Sequence, residues 1–461
     1  MTAQQFDAII VGAGQAGPSL AGRLALAGHK VAMVERKLFG GTCVNTGCTP
    51  TKTLIASAYV AQKARDAKDY GIETNGPVKA DMRAIKARKD SIVLKSRDSV
   101  ESWLRNMENC TVYTGHARFE SPTELRVGED LLTAPQIFLN VGGRAVVPDM
   151  PGVKDVPFLT NTTLLDLDTL PEHLAVVGGS YVGIEFAQAF RRFGSEVTIV
   201  EMGPRLAHKE DEDVSAAIKE ILEKEGIRIR LNAECIELRK TFGSGIEVHV
   251  SCDDDPSATA ATHVLLAVGR QPNTDDLGLD KAGVTTDKRG YIQVDDQLRT
   301  SVPGIWAMGD CNGRGAFTHT AYNDFEIVAA NLLDNDPRRV SDRIVTYGLF
   351  MDPPLGRVGM TEHEVRATGK SALIGTRPMT KVNRALEKGE SEGFMKVLVD
   401  AENKQILGAS ILGTGGDEAI HCITDVMYAK APYTTIQRAV HIHPTVAELI
   451  PTVLGDLKPL K

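Results

Sequence analysis

Short apolar runs that stop at glycine set the rhythm of the first third of the chain. Residues 7–11 (DAIIV) are too short for a helix and run into GAGQAG at 12–17, so they predict a buried strand entering a glycine turn. An Ala/Leu-rich stretch follows to Gly28 and predicts a helix, and KVAMVE at 30–35 predicts the next strand. Strand, glycine turn, helix, strand is half of a doubly wound unit. The same order returns with LAVV at 174–177, GGSYVG at 178–183, the helical IEFAQAFRRFG and EVTIVE at 196–201. Gly12 to Glu35 and Gly178 to Glu201 are the same step of 23 residues. The chain therefore repeats one dinucleotide-binding module.

Between the modules, residues 53–110 carry apolar positions at helical intervals and predict two long helices. Residues 111–148 alternate like a small sheet, and PDMPGV at 148–153 reads as a domain crossing. The acidic run at 253–255 predicts a solvated hairpin loop, and HVLLAVGRQPN at 263–273 closes the second module. GIWAMGD at 304–310 predicts another strand ending in glycine and aspartate, and residues 320–333 a helix. From 344 onward, GFMKVLVD and KQILGASILG alternate like antiparallel strands, with helical spacing at 417–430. The fold expected is α/β, with two Rossmann-like dinucleotide-binding domains and a C-terminal α+β domain. Its divisions fall at 1–150, 151–275, a return to the first domain over 276–343, and 344–461.

Composition narrows the function. Apolar residues make up 42% and charged residues 24% of the 461, as in a soluble globular protein. The net charge of −8 comes without a basic block, so nucleic acid is not an expected partner. No apolar run reaches the ~18 residues that cross a bilayer, so no membrane partner is expected. The opening residues show no basic start followed by a cleavable apolar stretch, which makes the cytoplasm the expected compartment. Seven cysteines, odd and sparse, do not make a secreted scaffold, and most should be small buried residues or isolated thiols.

The chemistry concentrates at the glycine turns and one cysteine pair. Gly12 makes the tight turn, Gly14 lets a pyrophosphate approach the backbone, and Gly17 permits close helix–strand packing. Glu35 can accept hydrogen bonds from a ribose diol. The second turn keeps Gly178 and Gly183 but has Ser180 in the middle. Glu201 favours the free 2′-hydroxyl of NADH, whereas Arg205 could meet the 2′-phosphate of NADPH; NADH is the reading preferred. Two modules imply a second bound dinucleotide as hydride acceptor, which points to a flavin, FAD. The segment GGTCVNTGCTPTKT at 40–53, with Gly41 and Thr42 ahead of Cys43, begins five residues after Glu35. If Cys43 and Cys48 straddle the first turn of a helix they can bridge, and its N-terminus lowers a thiolate pKa. On spacing alone, a pair of inert buried cysteines stays open. No metal site is expected: a closed zinc site needs more ligands, and the nearest histidine in sequence is His29.

These motifs together resemble the flavoprotein disulfide reductases, the class I pyridine nucleotide–disulfide oxidoreductases that include dihydrolipoyl dehydrogenase, glutathione reductase and mercuric reductase. The resemblance covers essentially the whole chain. It is carried by GGTCVNTGCTPTK, by AVGRQPN at 267–273 with Gly269, by AMGD at 307–310 and by HPTVAE at 443–448. It implies that Cys48 is the thiol beside the flavin and Cys43 the exchange thiol. It implies a Lys52–Glu185 pair near flavin N5, Tyr181 over the flavin, and Asp310 and His319 at the FAD site. It implies His443 as acid–base for Cys43, oriented by Glu448 and supplied by the other subunit of a homodimer. Residues 344–461 would then be the dimerisation domain.

The acceptor is read less directly. Mercuric reductases carry a C-terminal cysteine pair, and residues 423–461 hold no cysteine. Dihydrolipoyl dehydrogenases match at His443, Glu448 and Glu201, yet TGCTPT departs from their usual segment. The reading preferred is an NAD(P)H-dependent reductase of a small disulfide or reactive oxidant such as hypothiocyanous acid. The alternatives are dihydrolipoyl dehydrogenase and a mercuric reductase-like protein.

Overall fold

A computed structural model describes residues 3–241, 245–250 and 257–460. The strands Ala8–Val11 and Val31–Glu35 are buried at every position and lie at the centre of a five-stranded parallel sheet. Its order is Ile305–Ala307, Gln136–Leu139, Ala8–Val11, Val31–Glu35, Cys110–Thr114. Fully buried, near-continuous apolar strands are what a parallel sheet covered on both faces requires. Residues Cys110–Thr114 and Gln136–Leu139 belong to this sheet. The alternating stretch between them forms the separate small sheet, with Gln4–Gln5 parallel to Asp130–Thr133.

The second module repeats the plan with four parallel strands, ordered Arg228–Arg230, Glu196–Val200, His173–Val177, His263–Leu266. The modules are joined by two strands in antiparallel pairing, Gly143–Ala145 leaving the first and Arg270–Pro272 returning to it. The C-terminal unit is a six-stranded sheet covered by short helices, and every pairing within it is antiparallel. The two helices expected over 53–110 are Cys48–Arg65 and Met82–Arg105, the latter capped by Asp81 accepting from the amides of Arg83 and Ala84. The acidic run at 253–255 lies outside the described residues. Cys235 departs from the expectation of isolated thiols, being disulfide-bonded. Cys110, Cys311 and Cys422 are free. Among the described residues, no helix is long and apolar enough to cross a membrane.

Buried charge locks the second module to the C-terminal sheet. Lys396, 1% exposed, reaches from the strand Phe394–Asp400 to Asp211 Oδ2 at 2.8 Å and Asp213 Oδ1 at 2.7 Å. Arg192 bridges Glu225 at 2.7 Å and Asp352 at 2.5 Å. Removing one partner from such a site leaves an uncompensated buried charge. Lys396→Ala is therefore expected to lower unfolding free energy in urea by about 3–5 kcal/mol. The exposed Lys219–Glu223 pair, cut by Lys219→Ala, is worth about 0.3–0.5 kcal/mol. Equal losses in the two variants would show that the buried lock contributes nothing special.

Candidate active site

The two glycine turns face the same constraints at their outer positions. Gly12 has φ +104° and Gly178 φ +109°, and a Cβ at either would collide with a carbonyl oxygen, that of Asn140 or of Ala267. A Cβ at Gly17 would strike Gly12 O, and one at Gly183 would strike Gly178 O, so each helix packs hard on its own turn. Glu35 accepts from Ala13 N and Lys37 N, both at 2.8 Å. Glu201 accepts from Gly179 N at 2.6 Å and Gly203 N at 2.7 Å. Each acid is thereby pinned beside its turn with lone pairs left for a ribose. A Cβ at Gly14 would meet Asn140 Nδ2 at 3.2 Å, so protein packing alone does not demand glycine there. Gly269 has φ +124° with open space around it, so backbone conformation is what demands glycine there.

The redox segment folds back on the first turn. Gly41 packs so closely on Gly14 that a Cβ would press its Cα, and Thr42 and Cys43 continue in the short helix Gly41–Asn45. Gly47 then turns the chain into the helix Cys48–Arg65, whose Pro50 falls where an amide would lack a partner anyway. This fold places the Cys43 thiol within hydrogen-bond reach of Cys48, as a free dithiol. The hydrogen bond from Cys43, then Thr318 and Lys52, outweigh burial and bring Cys48 down to about 6. The same hydrogen bond, with burial, pushes Cys43 up. Negative charge in the reduced pair thus rests on Cys48, and Cys43 keeps its proton.

One helical turn past Cys48, Lys52 Nζ meets Glu185 Oε2 at 2.7 Å. Glu185 Oε1 accepts from Phe350 N at 2.9 Å, and Lys52 lies 4.6 Å over the Phe350 ring. Beside this junction opens a cavity of about 1310 Å³ between the two modules and the C-terminal unit. Tyr181, Asp310, Phe317, His319 and Tyr347 are among its walls. Burial raises Asp310, whose nearest cation is Arg270 at 3.6 Å. His319 donates through Nε2 to Thr346 O at 2.7 Å, and burial lowers its pKa. His443 Nδ1 lies 3.0 Å from both oxygens of Glu448. That dyad is on the C-terminal unit, its imidazole 68% exposed, and no described hydrogen bond or ion pair joins it to Cys43 or Cys48 of its own chain.

These residues fit FAD. The glycine cradle of the first module admits a pyrophosphate where any Cβ would intrude, and the partly desolvated Asp310 needs hydroxyl donors that a ribityl chain has. Asn45 Oδ1 is buried and without a hydrogen-bond partner.

The family model described as pyridine nucleotide-disulphide oxidoreductase matches residues 6–324, and that of the family's dimerisation domain matches 345–454. The chain is 37% identical to the probable pyridine nucleotide-disulfide oxidoreductase RclA of Escherichia coli K12, over 98% of this chain and 100% of that protein. It is 32% identical to dihydrolipoyl dehydrogenase of Chlamydia muridarum, over 97% and 95% of the two chains. It is 31% identical to mercuric reductase of Staphylococcus aureus, over 94% and 80%. The solved Cu(II) complex of the HOCl-induced flavoprotein disulfide reductase RclA from Escherichia coli superposes with a TM-score of 0.90 at 35% identity, covering 99% of both chains. The chain belongs to the pyridine nucleotide-disulphide oxidoreductase family. It is a flavoprotein enzyme that works with FAD and a pyridine nucleotide, and it carries the family's dimerisation domain.

Sequence reasoning missed Thr318. Its hydroxyl lies 3.1 Å from Cys48 Sγ, although 270 positions separate them. Phe317, whose ring lies in the cavity wall, precedes it at the head of the helix Thr318–Ala329. A threonine at a helix start reads as an ordinary terminus, so only the fold reveals this contact. In the reduced enzyme, alkylation of Cys48 followed by mass spectrometry should titrate near pH 6. Thr318→Ala should slow that alkylation at pH 6 by about three- to tenfold, because less thiolate is present. An unchanged midpoint would remove Thr318 from the thiolate's support.

Proposed function

We propose that the chain is an NADH-dependent reductase of a small reactive oxidant, such as hypothiocyanous acid, acting through Cys43 and Cys48. The observation that carries this reading is the placement of Cys43 and Cys48 within hydrogen-bond reach of each other, beside the Thr318 hydroxyl and the Lys52–Glu185 ion pair. Bound FAD would supply the route by which hydride from the nicotinamide becomes the two electrons that reduce the Cys43–Cys48 disulfide. Gly12, Gly14, Gly17, Glu35, Gly41, Thr42 and Asp310 hold it, with His319 at its side. Gly178, Ser180, Gly183, Glu201 and Gly269 hold the nucleotide, and Tyr181 borders its nicotinamide end. NADH is favoured because Glu201 is held beside the turn, while Arg205 is engaged by Glu212 at 3.2 Å and His208 O at 3.2 Å.

A neutral Cys43 needs a base before it can attack. His443, oriented by Glu448, takes that proton. Cys43 then bonds to the sulfur of hypothiocyanous acid, and hydroxide leaves as water with the proton from His443. Cys48 attacks Cys43, forming the disulfide and releasing thiocyanate. Over the full cycle NADH and hypothiocyanous acid give NAD+, thiocyanate and water. The base comes from the second subunit of a homodimer. The exposed His443 supports this, as do Val440 and Ile442 beside it, apolar yet 100% and 79% exposed. The whole-length likeness to RclA, described as an HOCl-induced flavoprotein disulfide reductase, supports the choice of oxidant. Dihydrolipoyl dehydrogenase is the second reading, favoured by the His443–Glu448 dyad and the relative in Chlamydia muridarum.

Purified enzyme should oxidise NADH with hypothiocyanite and show a negligible rate of NAD+ reduction by dihydrolipoamide. A dihydrolipoamide rate typical of central metabolism, about 10–1000 s⁻¹, would transfer the assignment to the second reading. Cys48→Ser should abolish disulfide turnover and leave dye reduction by NADH intact. Disulfide turnover that survives this change would discard the redox pair. His443→Ala should cost about 10²–10⁴-fold in oxidant reduction. Co-expressed Cys43→Ser and His443→Ala chains should regain activity in mixed dimers, and no regain would place the base in the same subunit as its thiol.

A further inference from the structure

The reactive end of the cavity is closed by a cluster of rings that one carboxyl group holds together. Tyr181 and Tyr347 have centroids 5.5 Å apart, Phe317 lies 5.5 Å from Tyr347 and 6.4 Å from Tyr181, and His319 stacks on Phe317 at 5.3 Å. A planar ring inserted between two others needs two van der Waals gaps, about 7 Å between the flanking faces. The stack as it stands therefore admits no further ring. Phe317 is the residue before Thr318, so the stack abuts the Cys48 contact.

Glu210 Oε1 accepts from Tyr181 Oη at 2.9 Å and from Tyr347 Oη at 2.7 Å. Tyr181 opens the helix of the second module, and Tyr347 lies on the first strand of the C-terminal sheet, so this one atom ties rings from two domains. Glu210 is 2% exposed, its Oε2 has no hydrogen-bond partner, and Arg357 lies 3.9 Å away. Burial, and then Glu210 itself, push both phenols up, so both remain donors. The loop carrying Glu210 also hangs on the glycine turn, through Ala207 N to Gly179 O at 2.8 Å and Glu210 N to Ala207 O at 2.7 Å. The nucleotide turn and the ring stack thus share one short connection.

We propose that Glu210 is a positioning residue that sets access of the nicotinamide ring, by latching Tyr181 to Tyr347 across the domain junction. This rests on the reading of Tyr181 as the border of the nicotinamide end, the channel that the stack closes. Nucleotide binds only the fraction of enzyme whose stack has opened, and the latch lowers apparent affinity by that fraction. Glu210→Gln replaces a charge-assisted acceptor with a weaker neutral one. Tyr347→Phe removes one tie while keeping the ring, and it stands in should the glutamine variant fail to fold.

The test is anaerobic stopped-flow reduction of the FAD-loaded dimer by NADH, with steady-state KM and kcat measured on the same preparations. Either variant should lower KM and the half-saturating NADH concentration by about three- to tenfold, while kcat moves less than twofold. Loss of mere packing would instead lower thermal stability and kcat without tightening NADH. An unchanged or raised KM in both variants, with normal flavin bleaching in the parent enzyme, overturns the latch alone. A parent enzyme whose flavin neither NADH nor NADPH bleaches overturns the channel reading and the latch with it.

Discussion

A single buried carboxylate, Glu185, is where the three domains meet. A charge taken out of water must find both a counter-ion and hydrogen-bond donors. Glu185 finds them in Lys52 of the first module and the Phe350 amide of the C-terminal unit, while its own helix, Tyr181–Phe193, belongs to the second module. Lys52 sits one helical turn beyond Cys48, so the position of the redox pair depends on this junction. The apolar packing around it is continuous. Leu54 and Ala58, Ile184, Phe186, Phe190 and Phe193, and Leu349, Met351 and Leu355 belong to one core cluster.

The electrostatics of the cysteine pair follow from that placement. Lys52 and Thr318 favour a charge on Cys48, and Cys43 donates to it. A thiolate held on Cys48 leaves Cys43 protonated, and exchange that starts at Cys43 calls for a base. The His443–Glu448 dyad is turned outward on the dimerisation domain.

The duplicated nucleotide turn shows why parts of the molecule could be read directly. Gly12 and Gly178 are needed for positive φ, and Gly17 and Gly183 because a methyl group would strike the preceding turn. Such constraints act within about twenty residues and leave a mark at fixed spacing. The alternation over 111–148 was less informative, because period two marks a strand without saying which sheet it joins. Cys110–Thr114 and Gln136–Leu139 are central to the first domain, yet nothing local separates them from the small sheet between them.

Glycine spacing and strand-length apolar runs marked the two modules and the cofactor class in the sequence alone, and the cysteine segment marked a pair whose redox role came from the family resemblance. Each depends on backbone geometry over a few consecutive residues. Tertiary structure decided the contacts of Thr318 with Cys48, of Phe350 with Glu185, and of Glu210 with Tyr181 and Tyr347. Their partners are separated by 270, 165, 29 and 137 positions, and they meet only after sheets and domains have packed. A hydroxyl, an amide and a carboxyl group are common everywhere along a chain. What gives them a role is burial beside one another, and burial is a property of the folded whole.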